Sequence, residues 1–176
     1  MKGLKEATAK VIAYPKQPDV NIVNELANKI RPDYHPGYQG YRCRIYLVKE
    51  NIGTEPITIT EPVAAYNLVR EEMIHSDREM MLSILLNAQS RLIGVETISI
   101  GSAYACGLTP AEVFKGALLA NAVSIILCHN HPSGSLKPSH ADLEITELMR
   151  DAGKLMGIKL LDHIIVSDEG YRSLCN

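Results

Sequence analysis

One junction constrains this chain more than any other: a short apolar run that leads directly into histidines, prolines and glycines. Residues 122–128 are apolar and rich in β-branched side chains, which predicts a buried strand. Pro132, Gly134 and Pro138 exclude helix and regular strand from the residues that follow, so 132–138 is predicted to be a loop. A helix then begins after Ser139, a favourable N-cap, and ends near Gly157.

Two histidines and an aspartate flank this predicted loop. If the strand continues past residue 128, His129 and His131 project from the same side of the backbone, because side chains alternate along a strand. Asp142 falls in the first turn of the helix, and folding of the loop brings it toward them. Ligands of type His, His and Asp leave one tetrahedral position of Zn²⁺ open for water, which is typical of catalytic zinc. Each part has an ordinary explanation, since Ser139 with Asp142 also forms a capping box and His-x-His occurs as a surface pair. Together they favour a metal site.

The spacing of these residues resembles the JAMM motif of the JAB/MPN metalloproteases. The string HNHPSG at 129–134, the later Ser139 and Asp142, and GIKLLDHIIV at 157–166 resemble the bacterial RadC branch of that family. The resemblance covers residues from about 59 to about 174. It implies a cytidine-deaminase-like three-layer sandwich and a metal-dependent hydrolase, with one Zn²⁺ per chain bound by His129, His131 and Asp142.

The remaining periodicity agrees with that architecture. The sequence predicts helices at 62–73 and 109–120, strands at 80–86, 91–100, 159–166 and 171–174, and a loop at 101–108. Strands and helices alternate without a Rossmann glycine fingerprint, so we expect an α/β sandwich with a mixed, curved sheet flanked by helices. The residues expected to face the core from the two later helices are Val113, Ala117, Leu118 and Ala120, and Leu143, Leu148, Met149 and Leu155.

Hydrolysis also needs a general base, and two glutamates compete for that role. A carboxylate must take a proton from the attacking water and deliver it to the leaving amine. The resemblance implies a Glu at the start of a core strand before the motif, which selects Glu79; Glu96, on the returning strand, is the alternative. The resemblance also implies that Ser139 hydrogen-bonds the oxyanion, in addition to capping the helix.

Three other polar positions carry weaker expectations. Asp162 and His163 could support a ligand by orienting an imidazole, although a core or sheet-edge histidine is an equally good interpretation. Asn130 is expected to shape the loop together with its prolines and glycines. His140 follows the helix cap and is expected to be exposed.

Residues 1–58 are predicted to form an extension to a hydrolase domain at 59–176. The extension contains helix-like spacing at 19–30 and an alternating strand pattern at 41–48, where tyrosines lie beside arginines. A hydrophobic content of 46% with 22% charged residues is typical of soluble globular proteins. The four scattered cysteines and the absence of an apolar leader or membrane-spanning run favour a reducing cytoplasm. The sequence leaves open the amide substrate, whether peptide, isopeptide or other, and the oligomeric state, a homo-oligomer included.

The RadC resemblance also suggests an alternative function as a DNA-repair or DNA-transaction accessory protein. Residues 61–176 hold nine Lys and Arg against fourteen Asp and Glu, and residues 1–60 hold nine against six, so few phosphates can be neutralised. We expect DNA affinity to be weak and lost at moderate salt. An anisotropy titration of a labelled duplex near physiological salt measures this, and sub-micromolar binding would favour the accessory role over the hydrolase.

Overall fold

The computed structural model describes residues 56–101 and 108–175. Its elements, in chain order, are α1 (Pro62–Met73), β1 (Met80–Leu86), β2 (Leu92–Ile100), α2 (Pro110–Leu119), β3 (Ser124–Asn130), α3 (His140–Met156), β4 (Lys159–Ser167) and β5 (Gly170–Ser173). The helix predicted at 19–30, the strand predicted at 41–48 and residues 102–107 of the predicted loop lie outside the described residues. Within the described ranges, every helix is too short or too polar to cross a bilayer.

The five strands form one mixed sheet in the order β2-β1-β3-β4-β5. Strand β1 pairs antiparallel with β2 and β3, β3 pairs parallel with β4, and β4 pairs antiparallel with β5. The parallel pair requires a crossover connection, and α3 supplies it between β3 and β4. Strand β3 is longer at its carboxyl end than predicted, because its pairing with β4 continues to Asn130.

Each face of the sheet is covered by helix, which makes the fold three layers deep. Alternate residues of β1 face opposite layers: Leu82 and Ile84 pack in the same cluster as α1, whereas Met81 and Leu85 pack in the cluster that contains residues of α2 and α3. The predicted α/β architecture, a mixed sheet between helices, is confirmed.

The predicted buried faces of α2 and α3 were partly wrong. In α2, Val113 and Ala117 are buried as expected, but Leu118 is exposed and Phe114 is buried in its place. The pattern 113, 114, 117 is the spacing of one helix face, and Leu118 falls beside it.

In α3, the leucines predicted to face the core point outward. Leu143 and Leu148 are 48% exposed and Leu155 is 91% exposed, whereas Met149 is buried as predicted. The buried side consists of residues at spacings of three and four, which is the periodicity of a single face, and it includes two polar residues that hydrophobicity alone does not reveal. Its members are Asp142, Ile145, Thr146, Met149 and Gly153.

Candidate metal centre

Four acidic and imidazole side chains converge at the carboxyl end of β3. The Nε2 atom of His129 lies 3.1 Å from Nε2 of His131 and 3.3 Å from Oδ1 of Asp142. Nε2 of His131 lies 3.4 Å from Oδ2 of Asp142. One ligand atom from each of these residues and one from Glu79 all lie within 4.8 Å of one another. The structure therefore brings together the three predicted ligands and the predicted base.

The sheet register explains why Glu79 lies at this site. Strand β1 runs antiparallel to β3 with Met81 opposite His129. Continuing this register by two residues places Glu79 opposite His131, just beyond the paired part of each strand. A residue at the start of β1 is thus brought to the end of β3, although some fifty residues separate them in sequence.

Asp142 reaches the same point from the opposite direction. It is the third residue of α3, on the buried side of that helix. Strand alternation points the His129 side chain toward the layer that α3 occupies, because its neighbour at position 127 packs in the cluster that contains Ile145 of α3. The loop 131–139 between β3 and α3 therefore connects the histidine end of β3 to Asp142.

One end of the cluster is buried, and the other end, its mouth, is open to solvent. His129 and Asp142 are buried, whereas His131 and Glu79 are partly exposed. A site that is open on one side suits a reaction on a substrate from solvent, whereas structural metal sites are closed by four protein ligands.

A chain of hydrogen bonds fixes the tautomer of His129. The backbone oxygen of Asp142 can only accept, so the Thr146 hydroxyl donates to it over 2.5 Å. The same hydroxyl oxygen, 2.7 Å from Nδ1 of His163, must then accept from that nitrogen. Nε2 of His163 is left as an acceptor and receives the Nδ1 proton of His129 over 2.8 Å. The Nε2 lone pair of His129 therefore points into the cluster.

A hydrogen bond also fixes the tautomer of His131. Its Nδ1 lies 2.7 Å from the backbone oxygen of Ser135, which can only accept, so Nδ1 carries the proton. Both imidazoles thus present Nε2 lone pairs to the carboxylate oxygens of Asp142 and Glu79. Two nitrogens and two carboxylates with lone pairs facing one point form a ligand set that fits a divalent cation. The charges of the two carboxylates would neutralise that cation.

The environment supports the charge states that this arrangement needs. Burial lowers the pKa of His163 to about 3, so this ring is neutral. Burial acts to raise the pKa of the Asp142 carboxyl, but hydrogen bonding, including that from the backbone N–H of Ser139, outweighs it and holds that pKa below its usual range. The carboxylate stays ionised in a buried position, as a metal ligand must.

Ser139 caps α3 as predicted. Its side-chain oxygen accepts from the backbone N–H of Asp142 over 3.1 Å, and its own N–H donates to Oδ2 of Asp142 over 2.7 Å. Because the hydroxyl acts as acceptor in the cap, its proton is not needed there and can be donated to another oxygen.

Glu96 lies elsewhere. Its carboxylate packs so closely against Gly116 of α2 that a Cβ atom added there would collide with Oε2. Burial raises the pKa of Glu96, while Lys115 lowers it to a smaller extent. Among the described residues, the metal-type cluster at the end of β3 contains Glu79 and not Glu96.

Two residues that support His129 were missed or only partly foreseen from the sequence. Thr146 was not singled out, although its spacing of four from Asp142 on a helix placed both on one face. His163 was foreseen as an alternative to a core residue, and the structure shows it buried and bonded to His129. Its neighbour Asp162 points away and accepts from Ser173 Oγ over 2.8 Å. His140 is exposed, as expected.

Comparisons with known proteins agree with this geometry. The family model of the RadC-like JAB domain matches residues 59–176. A UPF0758 protein of Desulforudis audaxviator is 43% identical over 117 residues, 66% of this chain and 51% of that protein. UPF0758 proteins of Caldanaerobacter subterraneus and Methanosarcina mazei are 45% and 40% identical over 114 and 116 residues, which are 65% and 66% of this chain and 49% and 51% of those proteins. The chain spans about half the length of these curated relatives.

Thr146→Val tests the hydrogen-bond chain behind His129. The substitution keeps the shape of the side chain but removes the oxygen that links His163 to the helix carbonyl, so His129 loses its fixed tautomer. We expect Zn²⁺ affinity to fall by about 10- to 100-fold, the usual effect of losing such support. Competition with a chromophoric chelator measures it. Thr97→Val, at an exposed position of β2, is the matched control. Equal Zn²⁺ affinity in the two variants would contradict the proposed chain of hydrogen bonds.

Proposed function

The chain belongs to the RadC-like JAB domain family, and on that premise we propose that it is a zinc-dependent hydrolase of amide bonds, in peptides or isopeptides. The observation that carries this proposal is the convergence of two Nε2 lone pairs and two carboxylates within 4.8 Å at a mouth open to solvent. The three-layer fold fits the JAB/MPN architecture.

We assign the ion to His129, His131 and Asp142. Two neutral nitrogens and one carboxylate form a three-ligand set of the kind found in catalytic zinc sites. When bound there, Zn²⁺ would supply a water of pKa near 7 and a Lewis acid for the scissile carbonyl. The chain holds its ligands ready, since His129 is fixed by His163 and His131 by a backbone oxygen.

Glu79 and Ser139 would move the protons and stabilise the developing charge. Glu79 lies at the partly exposed side of the cluster, where its carboxylate can take the proton of the attacking water and pass it to the leaving amine. The Ser139 hydroxyl, at the exposed start of α3, would donate to the carbonyl oxygen as that oxygen becomes negative.

The first test is metal content. We expect purified protein to carry close to one Zn²⁺ per chain by elemental analysis, and His131→Ala to lose it because one of three ligands is removed. His140→Ala is the matched control, since His140 is exposed and its ion-pair partner, Glu144, is exposed too. Unchanged zinc in His131→Ala would overturn the ligand assignment.

The second test separates the two glutamates. A base that is not a ligand can be made neutral without loss of the ion, so Glu79→Gln should keep zinc while hydrolysis of an internally quenched peptide library falls by roughly 10²- to 10⁴-fold. Glu96→Gln should keep both zinc and activity, because its carboxylate lies against α2. Loss of activity only in Glu96→Gln would reverse the assignment. Loss of zinc in Glu79→Gln would make Glu79 a fourth ligand instead of the base.

A further inference from the structure

Asn130, between the two histidines, bonds to the backbone on both sides of Glu79. Its Oδ1 accepts from the N–H of Met80 over 2.8 Å, and its Nδ2 donates to the carbonyl oxygen of Arg78 over 3.1 Å. The side chain is buried, at 4% exposure. Both peptide groups that flank Glu79 are therefore fixed by one amide that lies about fifty residues away in the sequence.

The chemistry of this contact requires an amide. Met80 N–H can only donate and the Arg78 carbonyl can only accept, so the two partners need an acceptor and a donor at the same distance from the backbone. Asparagine offers both, whereas aspartate offers only acceptors and leucine neither. The identity of residue 130 is thus explained by the backbone around Glu79.

The contact also replaces pairing that the strands cannot supply. Pairing of β1 with β3 ends at Met81 opposite His129, so Glu79 precedes the regular ladder. A further bond from the N–H of Gly101 to the Glu79 carbonyl, over 2.8 Å, holds the other edge of the segment. Among the described residues, the Glu79 carboxylate is placed by its backbone and accepts no protein hydrogen bond of its own.

The geometry points to Asn130 as the positioning residue that sets the distance between the Glu79 carboxylate and the ion held by the flanking histidines. This inference rests on the proposed metal site and extends it, because one side chain at the end of β3, between two proposed ligands, bonds to the backbone of the residue assigned as base. Misplacement of a reacting group by about 1 Å can cost on the order of 10²-fold in rate, so such a link has consequences for catalysis.

Cobalt substitution tests the inference without a substrate. Zn²⁺ has a filled d shell and no d–d spectrum, whereas Co²⁺ at the same three ligands would have bands that respond to its remaining position. A water at that position would lie within reach of the Glu79 carboxylate, so a change at Glu79 would shift the bands although Glu79 is not a ligand. The probe is Co²⁺ alone, added to the metal-free full chain. The variants are Glu79→Gln, Asn130→Ala and the two combined, each checked for folding by circular dichroism and for bound cobalt.

The matched control is Asn87→Ala. Asn87 lies just past the opposite end of β1, and its Oδ1 also accepts backbone N–H groups, those of Gln89 over 2.9 Å and Arg91 over 3.0 Å. The variant thus removes side-chain bonds to backbone N–H groups in the turn after β1, at the end of that strand opposite to Glu79.

We expect Asn130→Ala to bind one Co²⁺ and to shift the d–d bands in the direction that Glu79→Gln does, with Asn87→Ala unchanged. The double variant should match Glu79→Gln alone, because Asn130 acts only through Glu79. A purely structural role would lower stability and leave the bands in place. Bands of Asn130→Ala that equal those of the native chain, bands of Glu79→Gln that do so, or an additional shift in the double variant, would each overturn the inference.

Two further outcomes keep the test decisive. If the native chain shows no cobalt bands, the proposed metal site fails and the inference fails with it, a result distinct from a silent Asn130→Ala. If Asn130→Ala does not fold, Asn130→Asp keeps the acceptor for Met80 N–H, but it places an acceptor opposite the Arg78 carbonyl and adds a negative charge. Its shift should vanish in the Glu79→Gln background, and a shift that persists there overturns the inference.

Discussion

The site depends on one directional chain of hydrogen bonds that begins at a group unable to donate. The carbonyl oxygen of Asp142 sets the direction, which then passes through Thr146 and His163 to His129. All four residues are buried, and a buried polar group without a partner costs about 1–3 kcal/mol. Each member of the chain is therefore stabilised by the next, and reversing one bond would break the others. The Nε2 lone pair of His129 faces the cluster as a result of the fold itself.

The buried end and the open mouth of the site are held in different ways. At the buried end, Asp142 and His129 are fixed by side chains that are themselves buried. At the mouth, His131 is bonded to the backbone oxygen of Ser135 and Glu79 is placed by the backbone contacts of Asn130. The partly exposed groups thus gain order without being enclosed.

Much of the fold and the site was predictable because local signals were strong. The sequence correctly predicted a strand from the run at 122–128, a loop from the prolines and glycines after it and a helix from the cap at Ser139. The histidines and Asp142 converge as expected. The buried face of α3 was less predictable, because its leucines suggested one face whereas Asp142 and Thr146 lie on another. A polar residue is buried when its partners are present, and here those partners include His129 of β3 and His163 of β4, which lie outside the helix itself.

The contacts around Glu79 were also difficult to predict from the sequence. Its position at the start of an apolar strand is visible in the sequence, and the family resemblance selected it over Glu96. The reason it reaches the cluster is the antiparallel register of β1 with β3. Register depends on which strands pair, so no local pattern around Glu79 or Asn130 could reveal their contact. The amide of Asn130 was expected only to shape its own loop.

The two interpretations of Ser139 and Asp142, helix cap and metal site, are complementary in this fold. The N–H of Ser139 bonds to Oδ2 of Asp142, and that same carboxylate lies 3.3 Å from His129 and 3.4 Å from His131 through its two oxygens. A capping box fixes the rotamer of its acidic residue, because the carboxylate must reach back to the cap. Here that reach also aims the carboxylate at the imidazoles. The positive end of the α3 dipole further favours the ionised form, so the start of the helix both orients this carboxylate and stabilises its charge.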